Sequence, residues 1–252
     1  MRLSVLVPCY NERELVLDLL DLVANALPDV EKEIVLVDDG SMDGTRDILS
    51  GRFGAIMQEG ALQGGEKLRA EPIGENATIS IIFHDQNRGK GGAIQTAMRY
   101  SSGDVLIIQD ADLEYDPADW GQMWDLIAER KYADVCYGSR FYGRPHRSLY
   151  YHHFLANRLI SFIFNILYNQ TLTDIEVCYK MFTRQVYESL RITQNDFGFE
   201  VQISAQIARH RNWRIYEMGI SYYGRTYAAG KKINWKDGVK ALWYLVKFRF
   251  VR

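Results

Sequence analysis

Three cysteines and five prolines in 252 residues leave little material for a disulfide scaffold or a Pro-rich linker. Cys9, Cys136 and Cys178 lie far apart, the first two inside apolar strand-like runs, so neither a disulfide framework nor zinc-ligand spacing is present and a reducing, cytosolic setting is expected. No uninterrupted apolar run reaches the roughly 20 residues a membrane-spanning helix needs. The N-terminal MRLSVLVPCYNE carries one basic residue and an apolar run too short for a signal peptide, so it reads as structure. Internal repeats, low-complexity tracts and a dividing linker are also missing, which predicts one large α/β domain. No basic stripe with interleaved aromatics lies near the strand ends, which argues against nucleic-acid binding. What is abundant is ordinary globular material, 47% hydrophobic and 25% charged.

Four apolar runs, LSVLVP, EIVLV, ISIIF and DVLIIQ, each end in a polar cluster. These are Cys9-Tyr10-Asn11-Glu12, Asp38-Asp39-Gly40-Ser41, Asn87-Arg88-Gly89-Lys90-Gly91-Gly92 and Asp110-Ala111-Asp112-Leu113-Glu114. Short Val/Ile-rich runs separated by segments of helical period predict parallel strands buried on both faces. Such sheets bind ligands beyond the carboxyl ends of their strands, so all four clusters fall on one edge. Another strand is expected from Asp134 to Ser139, leading into Arg140. Asn11 is placed to cap a helix with Glu12 and Glu14 in its first turn, and Asp43-Gly44-Thr45 reads as a turn into a short helix. Residues 51–78 lose periodicity and hold six glycines, which predicts a loop insertion, with a lid as the alternative.

Asp110, Asp112 and Glu114 alternate along the end of a strand, so their carboxylates are expected on one side. Clustered hard oxygen donors suit Mg²⁺ or Mn²⁺, which would hold a diphosphate; the competing reading is a solvated acidic turn, disfavoured by the neighbouring Asp38 and Asp39. Gly89-Lys90-Gly91-Gly92 resembles a phosphate loop, and a tight strand-to-helix turn explains it equally well.

The ordered motifs Pro8-Cys9-Tyr10-Asn11-Glu12, Val37 to Thr45, Asn87 to Ala93, Asp110-Ala111-Asp112 and Gly138-Ser139-Arg140 resemble those of family 2 glycosyltransferases, and most of all the polyprenyl-phosphate group that includes dolichol-phosphate mannose synthase. The resemblance runs from residue 1 to about residue 240, apart from residues 51–78. It implies a GT-A, Rossmann-like domain over 1–234, with a mostly parallel sheet flanked by helices; the residue pattern adds a basic amphipathic helix over 235–252. The resemblance further implies that Pro8, Tyr10, Glu12 and Asp39 hold the base and ribose of a nucleotide-sugar (UDP- or GDP-linked), and that Asp110, Asp112 and Glu114 form the metal and diphosphate site, with Lys90 among the donor-binding residues. Arg140 would meet an acceptor phosphate, with Arg147, His153 or Arg158 assisting. Asp174 and Val177-Cys178-Tyr179-Lys180 match a family segment in which Cys178 replaces the usual glycine. Arg225 and Lys231 match a late loop that neutralises the departing pyrophosphate. Asp112, Arg140 and Glu200 are the catalytic candidates.

A phosphate acceptor, with a second pKa of about 6, is already ionised at neutral pH and needs no strong base. A sugar hydroxyl would need one, for which Glu200 is the candidate; its other reading is a carboxylate favouring a helix N-terminus. Residues 1–204 hold 19 Lys and Arg against 30 Asp and Glu, whereas 205–252 hold 11 against 2. The expected C-terminal helix places Trp235, Val239, Leu242, Trp243 and Val246 on one stripe with Lys236, Lys240 and Lys247 around it. Together with the apolar segment from Leu149 to Tyr168, this predicts interfacial helices of a peripheral enzyme on the cytoplasmic face of a membrane, rather than core packing alone. Because the sequence stops at Arg252, stable anchoring is expected to involve a membrane-protein partner or a homo-oligomer. The expected function is therefore inverting, metal-dependent transfer of a sugar to a polyprenyl phosphate. The alternatives are a family 2 transferase acting on a saccharide hydroxyl and a non-catalytic sugar-nucleotide-binding subunit.

Overall fold

The computed structural model describes residues 1–61, 68–148, 150–226 and 235–250. Its strands are β1 (Leu3–Cys9), β2 (Lys32–Asp38), β3 (Ile56–Gln58), β4 (Glu71–Pro72), β5 (Ala77–Phe83), β6 (Val105–Ile108), β7 (Val135–Ser139), β8 (Lys180–Thr183) and β9 (Ile215–Gly219). They form one sheet in the order β3-β5-β2-β1-β6-β8-β7-β9, with β4 paired to β5. All pairings are parallel except those of β8, which runs against both β6 and β7, and of β4. The helices are α1 (Val16–Asn25), α2 (Thr45–Arg52), α3 (Lys90–Tyr100), α4 (Trp120–Trp124), α5 (Tyr151–Tyr168), α6 (Arg184–Ser189), α7 (Gly198–Arg209) and α8 (Trp235–Phe250). The mostly parallel, helix-flanked sheet is the architecture expected from the apolar runs.

Every residue of β1 is buried, because helices cover both faces of a parallel sheet. β1 pairs with β2 on one side and with β6 on the other, so the strand order reverses there and opens a crevice beyond the carboxyl ends. Two local expectations are corrected. Asn11 caps no helix, since α1 starts only at Val16. Instead its side-chain oxygen accepts from the Met42 N–H at 2.9 Å and its own N–H donates to Ser41 Oγ at 2.8 Å, tying the β1 and β2 loops together. Within 51–78, Ile56–Gln58 and Glu71–Pro72 add strands to the edge of the sheet through β5; residues 62–67 lie outside the described set.

α5 buries only Ile160, Ser161, Phe164 and Tyr168 and leaves Phe154, Leu155, Leu159, Phe162 and Ile166 exposed. α8 packs through Ala241, Leu245 and Phe248, while Val239, Trp243, Val246 and Phe250 face outward on roughly the opposite side. Leu242, expected on the outward stripe, instead packs partly against the core. The side chains of Trp235 and Lys236 and all of Leu149 lie outside the described set. No helix among the described residues is long and apolar enough to cross a membrane.

Candidate active site at the carboxyl ends of the strands

Asp39, just after β2, is 2% exposed and both oxygens of its carboxylate are engaged by protein. One oxygen accepts from the Arg88 N–H at 2.9 Å and pairs with His84 Nδ1 at 2.7 Å; the other accepts from the Gly89 N–H at 2.8 Å. The N–H groups of Gly91 and Gly92 donate to the Asn195 carbonyl at 2.8 and 3.3 Å. Four donors that a phosphate loop would present are thus consumed internally, so the Gly89–Gly92 segment is the tight strand-to-helix turn of the two readings. Gly89 has φ +90°, and a Cβ there would collide with the Asn195 carbonyl. Gly89→Ala should therefore destabilise the fold by about 2 kcal/mol, lowering the melting temperature by roughly 5 °C in a chain of this size; an unchanged thermal transition would contradict this packing.

The acidic cluster meets bases from distant parts of the chain. Lys90 Nζ lies 2.6 Å from Asp110 and 3.3 Å from Glu200, and the buried Lys180 pairs with the other oxygen of Glu200. Arg225 reaches Asp112 at 2.7 Å, Glu12 at 3.1 Å and Glu114 at 3.3 Å. Glu114 also accepts from Tyr222 OH at 2.8 Å and from the Arg225 N–H at 2.7 Å. Burial, with the charges of Asp110 and Glu114, pushes the Asp112 pKa up to about 7 against the pull of Arg225.

The expected three-carboxylate metal set does not form among the described residues. β6 ends at Ile108, so the two-residue alternation of a strand no longer governs residues 110–114, and Glu114 turns to Tyr222 and Arg225. Asp110 and Asp112 remain. Their crowding marks a place where positive charge is under-supplied, and a hard divalent ion is commonly held by one or two carboxylates with phosphate oxygens and water completing its shell.

Arg140, after β7, is gripped by Asp174 through Nε at 2.7 Å and Nη2 at 2.8 Å, and Asp174 is fully buried. Glu217 of β9 fixes this loop by accepting the N–H groups of Thr173 at 2.7 Å and Asp174 at 3.2 Å. Arg147 donates to the carbonyls of Tyr222 and Gly224 at 2.8 and 3.2 Å, whereas His153 and Arg158 lie on α5. Cys178 is buried and outside the left-handed region, so this turn does not need the glycine it replaces. Pro8 is buried within β1 and Glu12 is nearly buried, while Tyr10 is partly exposed; Lys231 lies outside the described residues. Sequence reasoning missed Glu217, His84 and the Tyr222 hydroxyl. Only the alternation of Glu217 within a short strand offered a signal.

The model of glycosyl transferase family 2 matches residues 4–191. The chain is 28% identical over 141 residues to a dolichol-phosphate mannosyltransferase of Pyrococcus furiosus, covering 56% of this chain and 34% of that protein. It is 24% identical over 222 residues to glycosyltransferase AglJ of Haloferax volcanii, covering 88% and 63%, so it spans less than two thirds of either of these relatives. It is 26% identical over 267 residues to a dolichyl-phosphate beta-glucosyltransferase of Dictyostelium discoideum, covering 98% and 74%. Among solved structures, glucosyl-3-phosphoglycerate synthase of Mycobacterium tuberculosis superposes with a TM-score of 0.68 at 13% identity, over 100% of this chain and 81% of that one. Its complex with Mn²⁺, uridine diphosphate and phosphoglyceric acid gives 0.69 at 13%, over 100% and 79%. At such identity the likeness is one of fold.

Proposed function

This chain belongs to glycosyl transferase family 2, and from that premise we propose that it moves a sugar, with inversion, from a nucleotide-sugar to a polyprenyl phosphate at the cytoplasmic face of a membrane. The observation that carries the reading is Arg140, clamped by Asp174 at the site edge where α5 departs with an exposed apolar stripe. The names of two relatives, both transferases of dolichol or dolichyl phosphate, support the same acceptor class.

On the donor side, Pro8, Tyr10 and Glu12 surround the nucleoside, and Asp39 acts through the loop it braces. Asp110 and Asp112 would hold Mg²⁺ or Mn²⁺, which would supply Lewis-acid stabilisation of the diphosphate leaving group. The Mn²⁺ and uridine diphosphate in the mycobacterial synthase complex fit that assignment. Arg225 stands over Asp112 and Glu12 and in this reading meets the same diphosphate together with Lys231, which lies outside the described residues. As charge builds on the leaving group, a preorganised guanidinium gives stabilisation that grows toward the transition state. On the acceptor side, Arg140 neutralises and orients the phosphate nucleophile. Glu200 is held between Lys90 and Lys180, an arrangement suited to a structural counter-charge and poorly suited to a general base. That favours an already ionised acceptor over a sugar hydroxyl.

The outward stripes of α5 and α8 serve as the membrane contact. Lys247 lies over the Trp243 ring at 4.9 Å, the pairing of base and tryptophan that an interfacial helix uses. Phe162→Glu with Trp243→Glu should lower vesicle binding at least tenfold, since each buried apolar side chain is worth about 1.5–3 kcal/mol, while leaving turnover of a short soluble acceptor intact. Undiminished co-sedimentation would remove these helices from the contact.

The function is tested by incubating the protein and Mn²⁺ or Mg²⁺ with a panel of nucleotide-sugars, with and without a short polyprenyl phosphate, and following nucleoside diphosphate release by mass spectrometry. Release that requires the lipid phosphate is expected. Release driven instead by a saccharide hydroxyl, or donor binding without turnover, would refute the reading.

A further inference from the structure

Between the Arg140–Asp174 pair and the Lys180–Glu200 pair, the chain passes through Ile175, Glu176 and Val177. Ile175 and Val177 are fully buried, and the Ile175 N–H is fixed by Ser161 Oγ at 3.2 Å. Glu176 differs from both: it is only partly buried and keeps contact with solvent, beside the charges of Arg140, Asp174, Lys180 and Glu200. Its carboxyl forms no hydrogen bond or ion pair with the described residues.

The surrounding carboxylates are all engaged. Asp174 holds Arg140, Glu200 holds two lysines, Glu217 accepts two N–H groups, Asp110 pairs with Lys90, and Glu12, Asp112 and Glu114 share Arg225. A carboxyl in this setting with no protein partner points to a partner from outside.

We propose that Glu176, as the neutral acid, donates a hydrogen bond to the acceptor phosphate that Arg140 neutralises, making it a second acceptor-phosphate ligand. This rests on the polyprenyl-phosphate reading and deepens it. Of the charged groups around Glu176, Arg140 and Lys180 favour its carboxylate, while Glu200 and Asp174 oppose it. Burial pushes its pKa up to about 7, with Arg140 acting in the opposite direction. An arriving phosphate dianion repels the carboxylate and favours the acid, so the pKa rises further in the complex. Acceptor binding must therefore take up a proton from solvent, and it must weaken as pH rises above 7 and the free enzyme loses that proton.

Titration calorimetry of the full chain with a short polyprenyl phosphate, in two buffers of different ionisation enthalpy, measures this uptake. At pH 7 the wild type should take up roughly half a proton more than Glu176→Gln. Between pH 7 and 8.5 its acceptor affinity should fall about tenfold, while Glu176→Gln, which keeps a donor at all pH values, stays level. Glu176→Met, with no donor, should bind weakly throughout. Equal proton uptake by wild type and Glu176→Gln, or loss of transfer in a folded Glu176→Gln, would overturn the assignment, the latter by making Glu176 a base. If the wild type binds nucleotide-sugar but no polyprenyl phosphate, the acceptor reading fails first and this inference falls with it.

Discussion

Asp112→Asn should lower nucleoside diphosphate release by about a thousandfold and, at the same time, raise the melting temperature. The first effect follows from removing a charge where the proposed function organises leaving-group stabilisation; loss of one such contact commonly costs 10²–10³ in turnover. The second follows from crowding. Burial and the charges of Asp110 and Glu114 raise the Asp112 pKa from 3.8 to about 7, so the folded chain holds this proton more tightly than the unfolded chain does. Stability contributed by the site is then lost as pH climbs through that interval, and ionised Asp112 is a strain on the fold above it. Asparagine keeps the shape, drops the charge and removes that pH dependence. Thermal unfolding at pH 5 and pH 8, beside the release assay, separates the effects. A variant that turns over within threefold of wild type would exclude Asp112 from the donor site, and one that melts lower at pH 8 would contradict the crowding.

Arg140→Ala should reduce kcat/KM for the acceptor by two to four orders of magnitude, chiefly through KM, because the positive charge proposed to meet the acceptor phosphate is lost. The same change strands Asp174, a fully buried carboxylate, and breaking such a pair costs about 3–5 kcal/mol. Arg140→Ala alone therefore confounds function with folding. Adding Asp174→Asn removes the stranded charge, so the double variant should recover much of the melting temperature and none of the acceptor affinity. Recovery of activity in the double variant would mean that Arg140 acts only as a counter-ion for Asp174.

The architecture was legible because strands buried on both faces must be apolar, and the polar clusters after β1, β2, β5 and β6 mark where burial stops. Less was legible where a residue's role depends on a distant partner. Arg225 meets Glu12 across 213 positions, and nothing local in either segment announces it. Strand alternation says little of where Glu114 points, because the chain has left the sheet after Ile108. Asp39 lies in a recognisable motif, yet its oxygens are taken by His84, Arg88 and Gly89, partners visible only once β5 lies beside β2. β3 and β4 carry too few residues to signal themselves in a Gly-rich segment; they exist because β5 offers them an edge.

The sheet order also sets a schedule for synthesis. β1 pairs with β2 about thirty residues later but with β6 only about a hundred residues later, and β6 in turn awaits β8. During translation the β1–β2 pair therefore carries an open, largely apolar edge until β6 has emerged, a template for mispairing with other nascent chains. Closing that gap is a non-local, entropically expensive step. Maturation of the enzyme should accordingly be limited by capture of β6, and this is the stage at which a chaperone would be needed.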